Sequence, residues 1–501
     1  MRQSLTFPSV LIPRNFCLFL ALTLIAWPTV SSQAQQSKEE KRLLSKAVDA
    51  YEDGDYKKAK EQYNKLLELV PTSAEYNYLA GQAYFESSVQ REQAIDYLEK
   101  ALQHSGQDTI PEIYYYLGRA NQYLSRFDIA IEAYRDFQRL KEKDKNPGEL
   151  VQDVQRYIEM CENGKGYFEN NREFVVVENL GKNINSEYPE YSPVVKEDES
   201  LIIFTSRRPN TTGGDIYYGD NKYYEDVYIS RYVNNAWVPA YNLDTTNKFL
   251  NVEVNTEEHD AVISFDAKET TLYLYREEDI WTSEFIDGEW QFPLRLNQDI
   301  NTEKGSENHI YISDDRMSMF VVSERKDSYG GRDIYVARKE RLSSPWGPLE
   351  NLGPDINTRY DEDAPFVTPD GNTLYFSSRG HNSMGGFDVF KSELINGRWG
   401  KPEIVGIQIN TPGDEIYFIT NNVASIGYYA SSRKGGYGDM DIYRISLTCK
   451  TIRSTEIRGL IVSEDLKRPV GGTITITDAR TGEEVGGFNA HPESGKYAMR
   501  L

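Results

Sequence analysis

Asn351-Leu352-Gly353, Ile356-Asn357-Thr358, Asp370-Gly371, Leu374-Tyr375-Phe376-Ser377-Ser378-Arg379 and Gly385-Gly386-Phe387-Asp388-Val389-Phe390 form one phrase, and the chain repeats it. The second copy runs Ile409-Asn410-Thr411, Tyr428-Tyr429-Ala430-Ser431-Ser432-Arg433, Gly435-Gly436 and Asp441-Ile442-Tyr443. Arg379 to Arg433 is a step of 54 residues, and Asp388 to Asp441 a step of 53. A fixed period of that size, built of short β-prone runs, predicts the blades of a propeller.

The phrase extends towards the N-terminus. Met319 to Arg325 leads to Asp333-Ile334-Tyr335, Leu272 to Arg276 leads to Asp279-Ile280-Trp281, and Leu201 to Arg207 leads to Asp226-Val227-Tyr228. Gly213-Gly214-Asp215-Ile216-Tyr217 reads as a decoy copy inside an insertion. The closing residues Asp226, Asp279, Asp333, Asp388 and Asp441 are 53, 54, 55 and 53 residues apart, which gives five repeats. Arg207, Arg276, Arg325, Arg379 and Arg433 recur with them. A residue repeated in every blade is spread around the ring. These Asp and Arg side chains are therefore expected to bond turn amides and each other, not to catalyse. Val, Ile, Tyr and Phe suit a half-buried pleated surface, while Asp-Gly and Gly-Gly supply the positive φ of tight hairpins. Trp237, Trp290, Trp346 and Trp399 follow the repeats and suit an outer strand. An open sheet edge must be hidden. Phe174-Val175-Val176-Val177 is expected to complete the last blade and close the ring, giving five blades, with six as the alternative.

Residues 1–34 read as a secretory signal peptide. Arg2 and Arg14 are the only charges, Phe16 to Trp27 is an apolar run too short to span a bilayer, and Ser32-Gln33-Ala34 is a small-x-small cleavage site. The 501-residue chain has a net charge of −22, which becomes −24 without the leader. Such an acidic body argues against nucleic acid and anionic membrane surfaces as partners. Its length implies two to four domains. An export compartment permits a disulfide, and Cys161 and Cys449 flank the propeller, where its two ends meet; pairing and two separate thiols both remain open.

Residues 38–165 are predicted helical, with apolar residues at Leu43, Ala47, Ala50 and Tyr51 on one face. Ala59, Ala94 and Ala130 open matching helices at steps of 35 and 36, and Leu79-Ala80-Gly81 and Leu117-Gly118 mark their partners. This segment resembles the tetratricopeptide repeat, an all-α solenoid. The resemblance places a partner-binding groove at Leu44, Val48, Tyr51, Tyr78, Gln82, Phe85, Tyr115, Arg119 and Gln122.

From residue 456, Ile457-Arg458-Gly459-Leu460-Ile461-Val462, Pro469 to Asp478 and Thr481-Gly482 resemble the first strands of a carboxypeptidase regulatory-like β-sandwich. About 45 residues are too few for a whole sandwich, so a partial, truncated one is expected over 456–501. The order of signal, helical repeats, a WD40-like propeller of the TolB type over 172–450 and a regulatory-like segment is similar to the OmpA-family multidomain periplasmic proteins of type IX secretion and gliding. That resemblance implies a non-enzymatic scaffold at the outer membrane with protein partners, reaching peptidoglycan through a further C-terminal domain. No cofactor is implied. The five histidines show no metal-ligand spacing, and no Gly-x-Ser-x-Gly, Walker loop or Cys-x-x-Cys occurs. The alternative is a propeller that binds or processes glycans or peptides.

Overall fold

The computed structural model describes residues 36–500 apart from 88, 107–108, 143–148, 171–174, 215, 218–219, 244–253, 266–269, 288, 303–305, 448–455, 466 and 478–483. The signal segment and Cys449 lie outside these residues.

Among the described residues, seven α-helices come first: α1 (Lys38–Glu52), α2 (Tyr56–Leu69), α3 (Ala74–Glu86), α4 (Ala94–His104), α5 (Glu112–Tyr123), α6 (Phe127–Lys141) and α7 (Glu149–Asn170). The starts of the first three are written in the sequence. Ser37 and Glu40 form a reciprocal capping box on α1, Asp55 caps α2 and Ser73 caps α3. Each helix packs on the next through its apolar stripe. Ala59, Ala94 and Ala130 are fully buried, so successive helices come close. Cys161 of α7 is buried against Phe127 and Tyr134.

Five antiparallel sheets follow, arranged as blades 1 to 5. Their inner strands are Glu190–Val195, Asp260–Phe265, Glu307–Ile312, Glu362–Val367 and Glu415–Thr420. Each inner strand pairs with a second strand ending in the Ser or Arg of the repeat, and that strand pairs with a third beginning at the closing Asp. In blades 1, 2 and 4 the outer strand is split in two, as at Ala236–Trp237 and Tyr241–Asn242. Pro239, Pro293 and Pro402 fall in the breaks, because proline has no N–H for the ladder. Trp346 sits on no strand but is buried between blades 2 and 3.

The fifth blade takes its outer strand from before the first. Val176–Asn179 pairs with Asp441–Ser446 in the register Val176 to Ser446 and Asn179 to Tyr443. The ring therefore closes at five blades. A separate apolar core fills each junction between neighbouring blades, for example Ile334, Val336, Leu374, Phe376 and Phe390 between blades 3 and 4. Beyond the ring, Glu456–Leu460 pairs with Lys496–Arg500 and Thr473–Thr477 with Glu484–Asn489, as two separate two-stranded sheets.

Candidate functional site

The repeated polar residues build the joints between blades. Each inner strand opens on a buried carboxylate: Glu190, Asp260, Glu307, Glu362 and Glu415. In blade 4, the Thr358 amide donates to Glu362 at 2.6 Å, and the Thr358 and Ser378 hydroxyls donate at 2.8 and 2.6 Å. Blades 1, 3 and 5 repeat this with Ser186 and Ser206, Thr302 and Ser323, and Thr411 and Ser431. The Asn before that Thr bridges to the preceding blade. Asn357 accepts the Ile334 N–H at 2.8 Å and donates to the Ile334 carbonyl at 2.9 Å. Asn185, Asn255, Asn301 and Asn410 do the same at the other four junctions.

The five arginines singled out in the sequence do not hold one place. Arg325 and Arg433 lie two residues beyond the repeat Ser and donate to the carbonyls of Ile300 and Ile409. In blade 1 that place belongs to Arg208, which reaches Ile184, while Arg207 pairs with Asp220 of the inserted hairpin. Arg276 stands at the Ser position itself and binds Asp260 and the Val254 carbonyl. Arg379 is one residue early and lies 3.3 Å from Asp414. In blade 4, His381 takes the carbonyl of Ile356 at 2.9 Å instead.

The closing aspartates cap the preceding loop. Asp388 accepts the Met384 and Gly385 amides, Asp333 that of Tyr329, Asp441 that of Tyr437 and Asp226 that of Thr212. Asp279 follows the two-residue turn Glu277-Glu278 and pairs with Arg295. The equivalent glycines are thus Gly213, Gly330, Gly385 and Gly438, each one residue after the capping amide or at it. Gly213-Gly214 is blade 1's own loop with a hairpin inserted after it, not a decoy. Gly435-Gly436 precedes the true position in blade 5. These glycines serve close approach and not positive φ: a Cβ on Gly330 would overlap the Arg359 carbonyl carbon of the next blade.

The axis of the ring is closed. Tyr417 of blade 5 stacks on Tyr191 of blade 1 at 5.8 Å and meets His309 of blade 3 at 5.3 Å. Phe387 and Met440, each preceding a closing Asp, pack into the same cluster. Arg332 is paired with Asp363 and lies over Phe387. Tyr191 donates to Glu225, which also faces His259 at 3.3 Å. Ser192, Ile263, His309, Ala364 and Tyr417, one from each blade, line a cavity of about 20 Å³. Burial pulls the His309 imidazole down to about 4, so it is neutral there at pH 7. Among the described residues, no group of three His, Cys, Asp or Glu side chains is placed to hold a metal ion.

The helical region presents aromatic side chains. Leu44, Val48, Tyr51, Tyr78, Gln82 and Arg119 are half-buried. Tyr78 meets Tyr116 edge-on at 6.2 Å, Tyr116 meets Phe85 at 5.8 Å, and Gln82 donates to the Tyr116 hydroxyl at 2.9 Å. Phe85, Tyr115 and Gln122, expected to line the groove, are buried. Tyr115 packs on Phe137 and Tyr157. Gln122 accepts from Tyr134 and donates to the Met384 carbonyl of the propeller at 3.2 Å. Arg119 donates to the hydroxyls of Tyr115 and Tyr157 and lies 4.5 Å over the Tyr157 ring, so α7 covers it.

The sequence reading missed Arg156 of α7. Its guanidinium donates to the carbonyls of Arg379, Gly380 and His381 and to the Ser383 hydroxyl, at 2.8 to 3.2 Å. Asn163 and Tyr167, on the same face of α7, reach the carbonyls of Ser383 and Asn382. Tyr123 bonds Ser432, and Lys57 meets Glu187 at 3.3 Å. The helices thus sit on one axial face of the ring, over blades 1, 4 and 5.

No family model and no curated protein matches the sequence. Among solved structures, the chain resembles a putative TolB from Agrobacterium tumefaciens at 11% identity and a TM-score of 0.30, over 65% of this chain and 97% of that one. It resembles the periplasmic gluconolactonase PpgL of Pseudomonas aeruginosa at 12% and 0.30, over 65% and 98%. It also resembles the α-L-arabinofuranosidase PaAbf62A of Podospora anserina at 12% and 0.33, over 53% and 92%. Likeness at this level carries no argument about function.

Proposed function

We propose that this chain is a non-enzymatic periplasmic scaffold that binds protein partners through its helical region and presents them beside the propeller. On this reading the helices are a tetratricopeptide-type solenoid and the last segment is of the regulatory-like sandwich type. The whole belongs with the OmpA-family proteins of outer-membrane type IX secretion and gliding, which reach peptidoglycan through a further domain. One observation carries the reading: half-buried Tyr51, Tyr78 and Tyr116 come together from three alternate helices, α1, α3 and α5. Tyrosines supply large contact area and a polar tip at small entropic cost, which suits a partner surface. Among the described residues, no helix is long and apolar enough to cross a membrane.

The test is affinity capture of the whole protein from cross-linked envelopes, beside a variant with Tyr51→Ala and Tyr78→Ala. Secretion or gliding components should come down with wild type and be lost with the variant, whose melting curve should stay cooperative. Equal recovery from both proteins would refute the groove. Recovery of no envelope protein by either would refute the scaffold.

A further inference from the structure

The first turn of α6 lacks a cap of its own. Arg126 stands at the cap position and its side chain bonds none of the turn's amides. A helix leaves its first amides without partners inside it. The amide of Ile129, third in α6, is served from 364 positions away: the Glu493 carboxylate accepts it at 3.1 Å. Glu493 sits on the turn joining Glu484–Asn489 to Lys496–Arg500, where the His491 Nδ1 accepts the Ser494 amide at 3.1 Å. Beside it, the Asp128 carboxyl is hydrogen-bonded to that of Glu493 and paired with Lys165 of α7.

We propose that this contact is a proton-dependent latch. The C-terminal segment docks on the helical region while Asp128 and Glu493 hold one proton between them, and is released when both carboxylates are charged. Two carboxyl groups bond each other only when one carries a proton, and the pair then titrates as a unit. The charged groups around them include Lys165 and Glu162 of α7, 3.9 Å apart, His491 of the same turn, and Glu132 and Arg135 of α6, which line one cleft with Asp128 and Lys165. One lysine offsets one of the two carboxylates, and Glu162 competes for it. Burial, reinforced by Asp128, pushes the Glu493 carboxyl up to about 7, while its bond to Glu493 and then Lys165 holds Asp128 below the ordinary range. The sign follows from the raised group. Docking is strongest near the ordinary carboxylate range; it weakens below that range, where the lowered Asp128 opposes a second proton, and is lost as pH rises through about 7. On that rising side it weakens about tenfold per pH unit up to about 7 and then levels off.

The test is amide hydrogen exchange of the whole chain, resolved at Ile129 and corrected for intrinsic rates, at pH about 5.5 and about 8.5. Ile129 should be protected at the lower pH and exchange freely at the higher. Glu493→Gln should protect it at both, because the amide oxygen accepts Ile129 N–H and the NH2 donates to Asp128. Glu493→Ala should leave it open at both. Scattering should show wild type expanding at the higher pH, the Ala variant expanded at both values and the Gln variant at neither. Equal protection of wild type at the two pH values, or a Gln variant that follows the wild-type profile, overturns the latch. So does parallel loss of protection at Phe137, deep in α6, which would mean the helix itself melts.

Discussion

Glu362 differs from its four counterparts in having no cation among the described residues. Arg208 lies 3.0 Å from Glu190, Arg276 2.6 Å from Asp260 and Arg325 3.3 Å from Glu307, and the charge of Arg433 acts on Glu415. Blade 4 has Gly380 at that place, and burial pushes the Glu362 carboxyl up to about 8. A carboxyl raised in the folded state lends stability that is complete below its unfolded pKa, near 4.3, and is lost as pH rises through about 8. Chemical denaturation should therefore find wild type about 2 kcal/mol less stable at pH about 9 than at about 6 from this group. Glu362→Gln should flatten that slope while keeping the Thr358 amide bonded; an unchanged slope would show that Glu362 is already ionised. Asn357→Ala tests the joint itself. It strands the N–H and C=O of buried Ile334, so a loss of about 3 kcal/mol is expected by denaturant titration.

At the scale of elements, the glycines of the strand-two to strand-three loops let each blade nest on the next. Gly330→Ala places a methyl into the Arg359 backbone, which has no flexible end to give way. It should cost about 3 kcal/mol, against about 1 for Gly371→Ala, which meets open space and only pays for a φ of +73°. Equal costs in urea titrations would show that the loops do not nest. The blades were legible in the sequence because strand period and turn residues are local signals: the spacing of Asp226 to Asp441 located every third strand. The job of Gly330 was not legible, because it depends on where Arg359 of another blade lies. Arg207 was taken for Arg208 because two arginines stand side by side and only the Ile184 carbonyl distinguishes them. The buried carboxylates had a signal that went unused, an Asn-Thr or Asn-Ser followed four or five residues later by Asp or Glu. In the helices, the 3.6-residue period identified the apolar faces. It could not tell a surface left for a partner from one packed by α7, and Tyr115, Arg119 and Gln122 lie against Tyr157 and Met160 of that helix.

Whether the aromatic face and the ring act as one body rests on α7. Arg156, Asn163 and Tyr167 recur at seven and four residues, which puts them on one side of the helix, facing the loop 379–384 of blade 4. That loop is free to receive them because Gly380 and His381 stand where other blades carry an arginine turned inward. Arg156 is the natural hinge pin: a charged donor bonds several carbonyls at once, and its planar fork loses little freedom in doing so. Arg156→Ala should leave both the helices and the ring folded, with cooperative melting of each. It should weaken their docking by about 3 kcal/mol, roughly a hundredfold in the docking equilibrium. Protease cleavage within 379–384 should accelerate, and the radius of gyration should rise. Arg156→Lys, a point charge without the fork, should fall between the two. If cleavage and scattering stay at wild-type values in the Ala variant, the two bodies are held by Tyr123, Gln122 and Lys57 instead. If they change as expected, a partner bound at Tyr51 and Tyr78 is held at a fixed distance from the propeller, which is what a scaffold requires and a flexible tether does not supply.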